Sequence, residues 1–311
     1  MRKIAFLFAG QGAQYVGMGK DLYENIPSCR DVFEEADKVL GFKISEICFN
    51  GPVEDLNNTE NTQPAIVTVN MAVLKALEEN GIKAEVSAGL SLGEYSALIY
   101  GGAMKFEEVV PLVKKRGRFM QEAVPVGIGG MAAIIKLKDE EVIEICKEAS
   151  TVGLVQGANF NCPGQVVVAG VNAAVDKAVE LAIEKGGRGK KLPVSAPFHC
   201  SLLEPAAVKL EQELKNIDIK TLSKPTYSNV TGDTYKEDSN ILASLRDQVM
   251  SSVLFSNIIS NMIAVGVDTF IEVGPGKTLS GFVKKISKDV DILNIENMDT
   301  LNKAIAFIKE S

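Results

Sequence analysis

Short apolar runs alternate with amphipathic stretches along most of the chain, the pattern of an α/β fold with a mainly parallel sheet. Ile4 to Phe8 is uninterrupted apolar sequence and predicts a buried strand, followed by a tight Gly10-Gln11-Gly12 turn. Thr62-Gln63-Pro64 opens a predicted helix over 65–79, with Pro64 at its start and Gly81 just past its end. A short strand around Val86 runs into Ser91, and 94–100 reads as helix. Residues 269–273 predict another strand, stopped by Gly274-Pro275-Gly276.

The middle of the chain has a different rhythm. A strand at 131–137, a helix at 139–149 and a strand at 154–159 come first. A strand at 166–169, a helix at 172–185 and a strand at 190–194 follow. That order, β-α-β-β-α-β, is the ferredoxin-like signature. Gly127, Gly129 and Gly130 on one side, with Pro193 and Pro197 on the other, are suitable hinges. The expected organisation is a large discontinuous unit, 1–126 with 197–311, interrupted by a small one, 127–196.

Composition narrows the chemistry. Among 311 residues there is one histidine, His199, so histidine-rich zinc sites and two-histidine iron sites are excluded, and no metal ligand set is expected. Any base-assisted serine or cysteine chemistry that uses imidazole must use His199. A net charge of −7 argues against nucleic acid or an anionic membrane as partner. No window approaches the roughly 18 apolar residues of a membrane span, and the opening apolar run is too short for a signal peptide. Five scattered cysteines without a C-x-x-C pair fit reduced thiols and a cytoplasmic location.

Gly89-Leu90-Ser91-Leu92-Gly93 is a G-x-S-x-G between a strand and a helical segment, the setting of a nucleophile elbow. The five-residue pattern alone would suit a plain glycine turn; its context favours a nucleophile. His199 follows the last strand of the small unit, where a loop between units would line a cleft, although a lone histidine is more often structural. At about 100° per residue, Arg116 falls on the apolar face formed by Val109, Leu112, Val113 and Met120, while Arg118 points the other way with Lys114, Lys115 and Glu122. A guanidinium on an apolar face needs an anion, either an internal carboxylate, which is the commoner case, or a substrate carboxylate. Both nucleotide-loop readings fail, because Tyr15 and Ile271 stand where glycines are required. The Gly10 turn remains a possible source of an oxyanion-binding N–H. Cys200 reads as a buried thiol, and the basic clusters at 188–191 and 284–288 as solvated surface.

Together these segments resemble the malonyl-CoA:acyl carrier protein transacylase family. The resemblance runs through residues 8–14, 61–65, 89–97, 116–121, 159–165, 197–199 and 272–277, in order and over nearly the whole chain. It implies an α/β-hydrolase-like core with an inserted ferredoxin-like subdomain. It also implies Ser91 as nucleophile, His199 as base, and the backbone N–H groups of Gln11 and Leu92 as the oxyanion hole. Arg116 would bind the malonyl carboxylate. The family's glutamine, whose neighbourhood supplies the carbonyl that orients the histidine, matches Gln248. Asn161 would line the cleft, and Phe198 matches the form of the motif associated with malonyl donors. One position departs from the family, which usually has histidine before the nucleophile where this chain has Leu90.

The implied partners are malonyl-CoA and holo-acyl carrier protein, acting on a monomer, with no cofactor because thioester is exchanged for thioester. Three other readings stand beside this one: a serine esterase or thioesterase, an acyltransferase serving a polyketide system, and a binding module that kept the scaffold.

Overall fold

The first apolar run forms β1 (Ile4–Phe8), buried at every position, and β2 (Val86–Gly89) pairs with it in parallel. The middle of the chain lays down β3 (Gly129–Ile135), β4 (Val155–Cys162), β5 (Gln165–Val171) and β6 (Arg188–Lys191). β7 (Thr269–Val273) and β8 (Asp291–Ile295) complete the set in a computed structural model that describes residues 2–194, 196–236 and 240–310. Ser195, in the loop that leads to His199, and both ends of the expected large unit lie outside the described residues.

Two sheets result. The larger has the order β2-β1-β7-β8 and every pairing in it is parallel. β1 is an inner strand covered on both faces, which explains why it reads as a continuous apolar run rather than an alternation. Phe6 and Phe8 enter one core, while Ala5 and Leu7 enter a second core on the opposite face.

The smaller sheet, β4-β5-β3-β6, is wholly antiparallel. Its helices, Asp139–Ala149 and Asn172–Glu184, pack with Ala132, Ile134, Val166 and Val168 in a core of their own. The alternate residues Met131, Ala133 and Val167 face the other way, toward the larger unit. One set of strands therefore closes the small core and walls a cleft, because side chains alternate along a strand. The two units are laced together where Phe160 N–H donates to the Val253 carbonyl at 2.9 Å and Val253 N–H to that of Ala158 at 2.8 Å.

Two elements depart from the sequence pattern. The helix expected from 65 starts at Thr59 and runs to Glu79, with Pro64 inside it. The Asn58 side chain caps it by accepting from Glu60 N–H at 3.2 Å, so the helix is nucleated a turn and a half before the proline. The last strand of the small sheet is Arg188–Lys191, not 190–194. It is an edge strand, where lysine and arginine can stay solvated, and the apolar Leu192 and Val194 that suggested a strand line the cleft instead.

Close backbone packing builds the turn after β2. A Cβ on Gly89 would lie 2.0 Å from the Gly93 carbonyl carbon, one on Gly93 2.1 Å from the Phe8 carbonyl oxygen, and one on Gly10 2.3 Å from that of Leu90. These contacts press helix Gly93–Tyr100 directly onto the end of β1. Gly281 is the opposite case, an exposed helical glycine with open space around it. Gly93→Ala should destabilise the fold by about 1–3 kcal/mol through forced backbone shifts. Gly281→Ala should stabilise it by about 0.5–1 kcal/mol through helix propensity. Equilibrium denaturation of the two variants checks both signs.

Candidate active site

Ser91 sits at the apex of that turn with φ 51°. A left-handed backbone at a non-glycine residue is costly and must be held by its surroundings. Asn229 does so on both sides: its Oδ1 accepts from Ser91 N–H at 2.6 Å, and its Nδ2 donates to the Gly89 carbonyl at 2.8 Å.

His199 lies 108 residues further along, and its Nε2 is 2.7 Å from Ser91 Oγ. His199 has φ 61°, so both members of the pair are among the three non-glycine residues with positive φ in the described chain. Its Nδ1 is 2.8 Å from the Gln248 carbonyl oxygen. A carbonyl can only accept, so Nδ1 carries the proton and Nε2 is left to accept from the serine hydroxyl. Burial, reinforced by the nearby Arg116 charge, pushes the imidazole down to about 4. At neutral pH it is unprotonated and able to act as a base.

Arg116 lies on helix Phe106–Glu122 and is only 1% exposed, on the apolar face that the periodicity marks. Arg118 is exposed beside Glu122. Gly117 lets the helix approach closely, since a Cβ there would be 2.5 Å from the Thr59 carbonyl oxygen. One guanidinium nitrogen donates to Gln63 Oε1 at 2.9 Å; the other donates to Gln248 Oε1 at 2.9 Å and to Ser91 Oγ at 3.2 Å. Arg116 makes no salt bridge among the described residues, and its buried Nε has no hydrogen-bond partner there. The commoner outcome, an internal ion pair, is therefore not what the fold contains.

Gln248 is fully buried and does not reach the cleft, so it acts behind the site rather than on its wall. Besides the contacts to His199 and Arg116, its Nε2 donates to the Ser91 carbonyl at 2.9 Å and to Glu94 Oε2 at 2.5 Å. Glu94, also fully buried, accepts from Asn229 N–H at 3.2 Å and from the Tyr235 hydroxyl. Burial pushes its carboxyl up to about 7, against these hydrogen bonds and the Arg116 charge, which favour the carboxylate. Asn229 and Tyr235 were not singled out in the sequence, and Gln63 and Glu94 entered only as parts of the segments 61–65 and 89–97, without a role. Only Glu94 carries an identifiable signal, being the sole charged residue in helix Gly93–Tyr100.

A cavity of about 670 Å³ opens between the two units. Gln11, Leu90, Ser91, Arg116, Phe198 and His199 line it from the larger unit, and Asn161 from the smaller. Asn161 is nearly buried, and its Oδ1 has no partner among the described residues. The side chain of Leu92 is in the core, not on the cavity wall. The backbone N–H groups of Gln11 and Leu92 make no hydrogen bond to another protein group in the described chain. Donors left free beside a nucleophile suit an oxyanion. Cys200 is held away from this chemistry: burial pushes its thiol up to about 11, and Sγ donates to the Pro197 carbonyl at 3.1 Å.

A free hydroxyl in contact with a neutral imidazole and a permanently charged guanidinium can attack an acyl group that carries its own anion. Known proteins agree with that chemistry. The model of the acyl transferase domain family matches residues 5–303. The chain is 47% identical, over 100% of its length and 98% of the relative's, to a protein of Bacillus subtilis (strain 168) called malonyl CoA-acyl carrier protein transacylase. It is similar to the crystal structure of malonyl CoA-acyl carrier protein transacylase from Clostridium perfringens, with TM-score 0.97 and 56% identity over 99% of this chain and 98% of that one. A malonyl-transacylase solved in complex with its type II polyketide acyl-carrier protein is similar as well, with TM-score 0.95 and 36% identity over 98% of this chain and 99% of that one. With the match running from the first strand to the last helix, the chain belongs to the acyl transferase domain family.

Proposed function

We propose that this chain transfers a malonyl group from malonyl-CoA to the phosphopantetheine thiol of holo-acyl carrier protein, through a malonyl ester on Ser91. The observation that carries this reading is Arg116, a buried cation without a carboxylate partner among the described residues, 3.2 Å from Ser91 Oγ. An acyl group attached at Ser91 with a carboxylate of its own supplies the missing anion, and bidentate contact fixes its orientation.

His199 Nε2 takes the Ser91 proton as Oγ attacks the thioester carbon. The N–H groups of Gln11 and Leu92 hold the oxyanion, and its collapse expels the CoA thiolate, which leaves with the proton from His199. The carrier thiol then gives its proton to His199 and attacks the ester, and Ser91 recovers a proton as it leaves. Asn161 and Phe198 shape the cleft around the acyl group, and Gln248 holds His199 and Arg116 from behind. The two units, 1–126 with 197–311 and 127–196, form the two walls of that cleft. We further infer a monomer working in the cytoplasm. The support for that location is five cysteines that are all free and buried, with no helix among the described residues long and apolar enough to cross a membrane.

Intact-mass analysis after exposure to malonyl-CoA should show a single malonyl adduct, located on Ser91, which holo-acyl carrier protein then discharges. The Ser91→Ala variant should take none. Release of malonate to water as fast as transfer would point to a hydrolase instead.

Arg116→Ala should lower kcat/KM for malonyl-CoA by at least about 100-fold, the scale of a buried charge contact. Acetyl transfer should fall less or rise. Equal losses for both donors would make Arg116 a purely structural residue.

The low position of His199 predicts the acid limb of the pH profile. Protonation of His199 should cut the free enzyme's kcat/KM steeply as the pH approaches about 4. Stability moves in a different window. Between about 6.5 and 4 the unfolded chain binds a proton at His199 that the folded one does not, so acidification through that range removes stability. Rates corrected for the folded fraction, measured with thermal denaturation at each pH, separate the two effects.

A further inference from the structure

We propose that Glu94 is a positioning residue that sets the site's preference for a carboxylate-bearing acyl group by holding Gln248 and, through it, Arg116. This rests on the malonyl-transfer reading above. The Gln248 carboxamide has one accepting end and one donating end, and all its partners are fixed in kind. Arg116 can only donate, so it requires Oε1, which it meets at 2.9 Å. The Ser91 carbonyl and a Glu94 carboxylate can only accept, so they require Nε2, at 2.9 Å and 2.5 Å. One flip state satisfies every contact, and the reverse state would place an amide NH₂ against the guanidinium. The Glu94 carboxylate adds a second, charge-assisted acceptor beside the Ser91 carbonyl and so holds the carboxamide in place from behind.

Glu94 is itself held. Its other oxygen accepts from Tyr235 and from Asn229 N–H, and Asn229 is the residue that clamps the Ser91 turn. The arrangement also separates two opposite charges by one neutral side chain. A carboxylate in direct contact would occupy the guanidinium that the substrate needs. Placed behind Gln248, Glu94 offsets part of the buried charge and leaves the edge of Arg116 that faces Ser91 open.

Glu94→Gln keeps the volume and removes the charge-assisted acceptor. Its amide must turn a donor either toward Gln248 Nε2 or toward Asn229 N–H, so one end of the network is left in conflict. Tyr235→Phe removes a single donor to Glu94 at the edge of the same network. Steady-state kinetics with malonyl-CoA and acetyl-CoA as alternative donors test the assignment. In Glu94→Gln the ratio of kcat/KM for malonyl over acetyl should fall about tenfold, the loss expected for one charge-assisted contact. Most of that loss should appear as a higher KM for malonyl-CoA, with acetyl transfer changing less. Tyr235→Phe should move the ratio in the same direction by a smaller factor. A ratio within about twofold of wild type in both variants, whatever their thermal stability, would overturn the assignment and leave Glu94 as fold support alone. If Glu94→Gln does not fold, Tyr235→Phe decides on the same threshold. A wild-type protein without malonyl preference would remove the malonyl reading and this assignment with it.

Discussion

A guanidinium with 1% exposure and no carboxylate in contact among the described residues is the constraint around which this protein is arranged. Arginine stays charged under any condition in which a protein folds, so its burial cannot be relieved by losing a proton. The fold answers with neutral acceptors, Gln63 and Gln248, at hydrogen-bond distance, and with one carboxylate a residue further away. Helix Phe106–Glu122 has to come close for this to work. Gly117 against Thr59 provides that approach and brings Gln63, one turn along the neighbouring helix, to the guanidinium.

Strain is concentrated at Ser91 and His199 and is balanced by rigid packing beneath them. Ser91 and His199 both have a left-handed backbone, a conformation that costs on the order of 1 kcal/mol or more at each. Below Ser91, three glycines allow backbone to touch backbone where any side chain would collide. Behind His199, the Gln248 carbonyl fixes the ring and its tautomer without an acidic third member. Gln248 thus contacts His199, the Ser91 turn and Arg116 together. One buried residue couples groups that stand 132 and 49 positions from it in the chain.

Local patterns in the sequence disclosed the elements and the chemistry that those elements carry alone. β1 was legible because a strand covered on both faces is apolar throughout, and Arg116 because one charge interrupts a helical stripe. The order of the small unit was legible too, although its last strand was misplaced by the apolar residues that face the cleft. The start of the helix at Thr59 was missed because proline reads as a beginning, whereas Asn58 is the residue that caps. Asn229 and Tyr235 were beyond reach for a different reason. They are ordinary polar residues whose importance lies in a partner far away in sequence, and a single chain carries no record of such pairs. Glu94 could have been found, by the logic that found Arg116.

The depressed basicity of His199 and the charge on Arg116 belong to one electrostatic system. Burial lowers the imidazole first, and the guanidinium lowers it further. A weak base is always ready at neutral pH, but it takes a serine proton less willingly. On the malonyl reading proposed above, a substrate carboxylate seated on Arg116 would cancel the second contribution and raise the basicity of His199. An uncharged acyl group would leave that contribution in place. Discrimination would then act on proton transfer as well as on binding, through a single cation. Leu90 adds no charge of its own; it lines the cavity and is partly buried against the second core. With no second imidazole in the chain, Arg116 is the charge among the described residues that acts on His199.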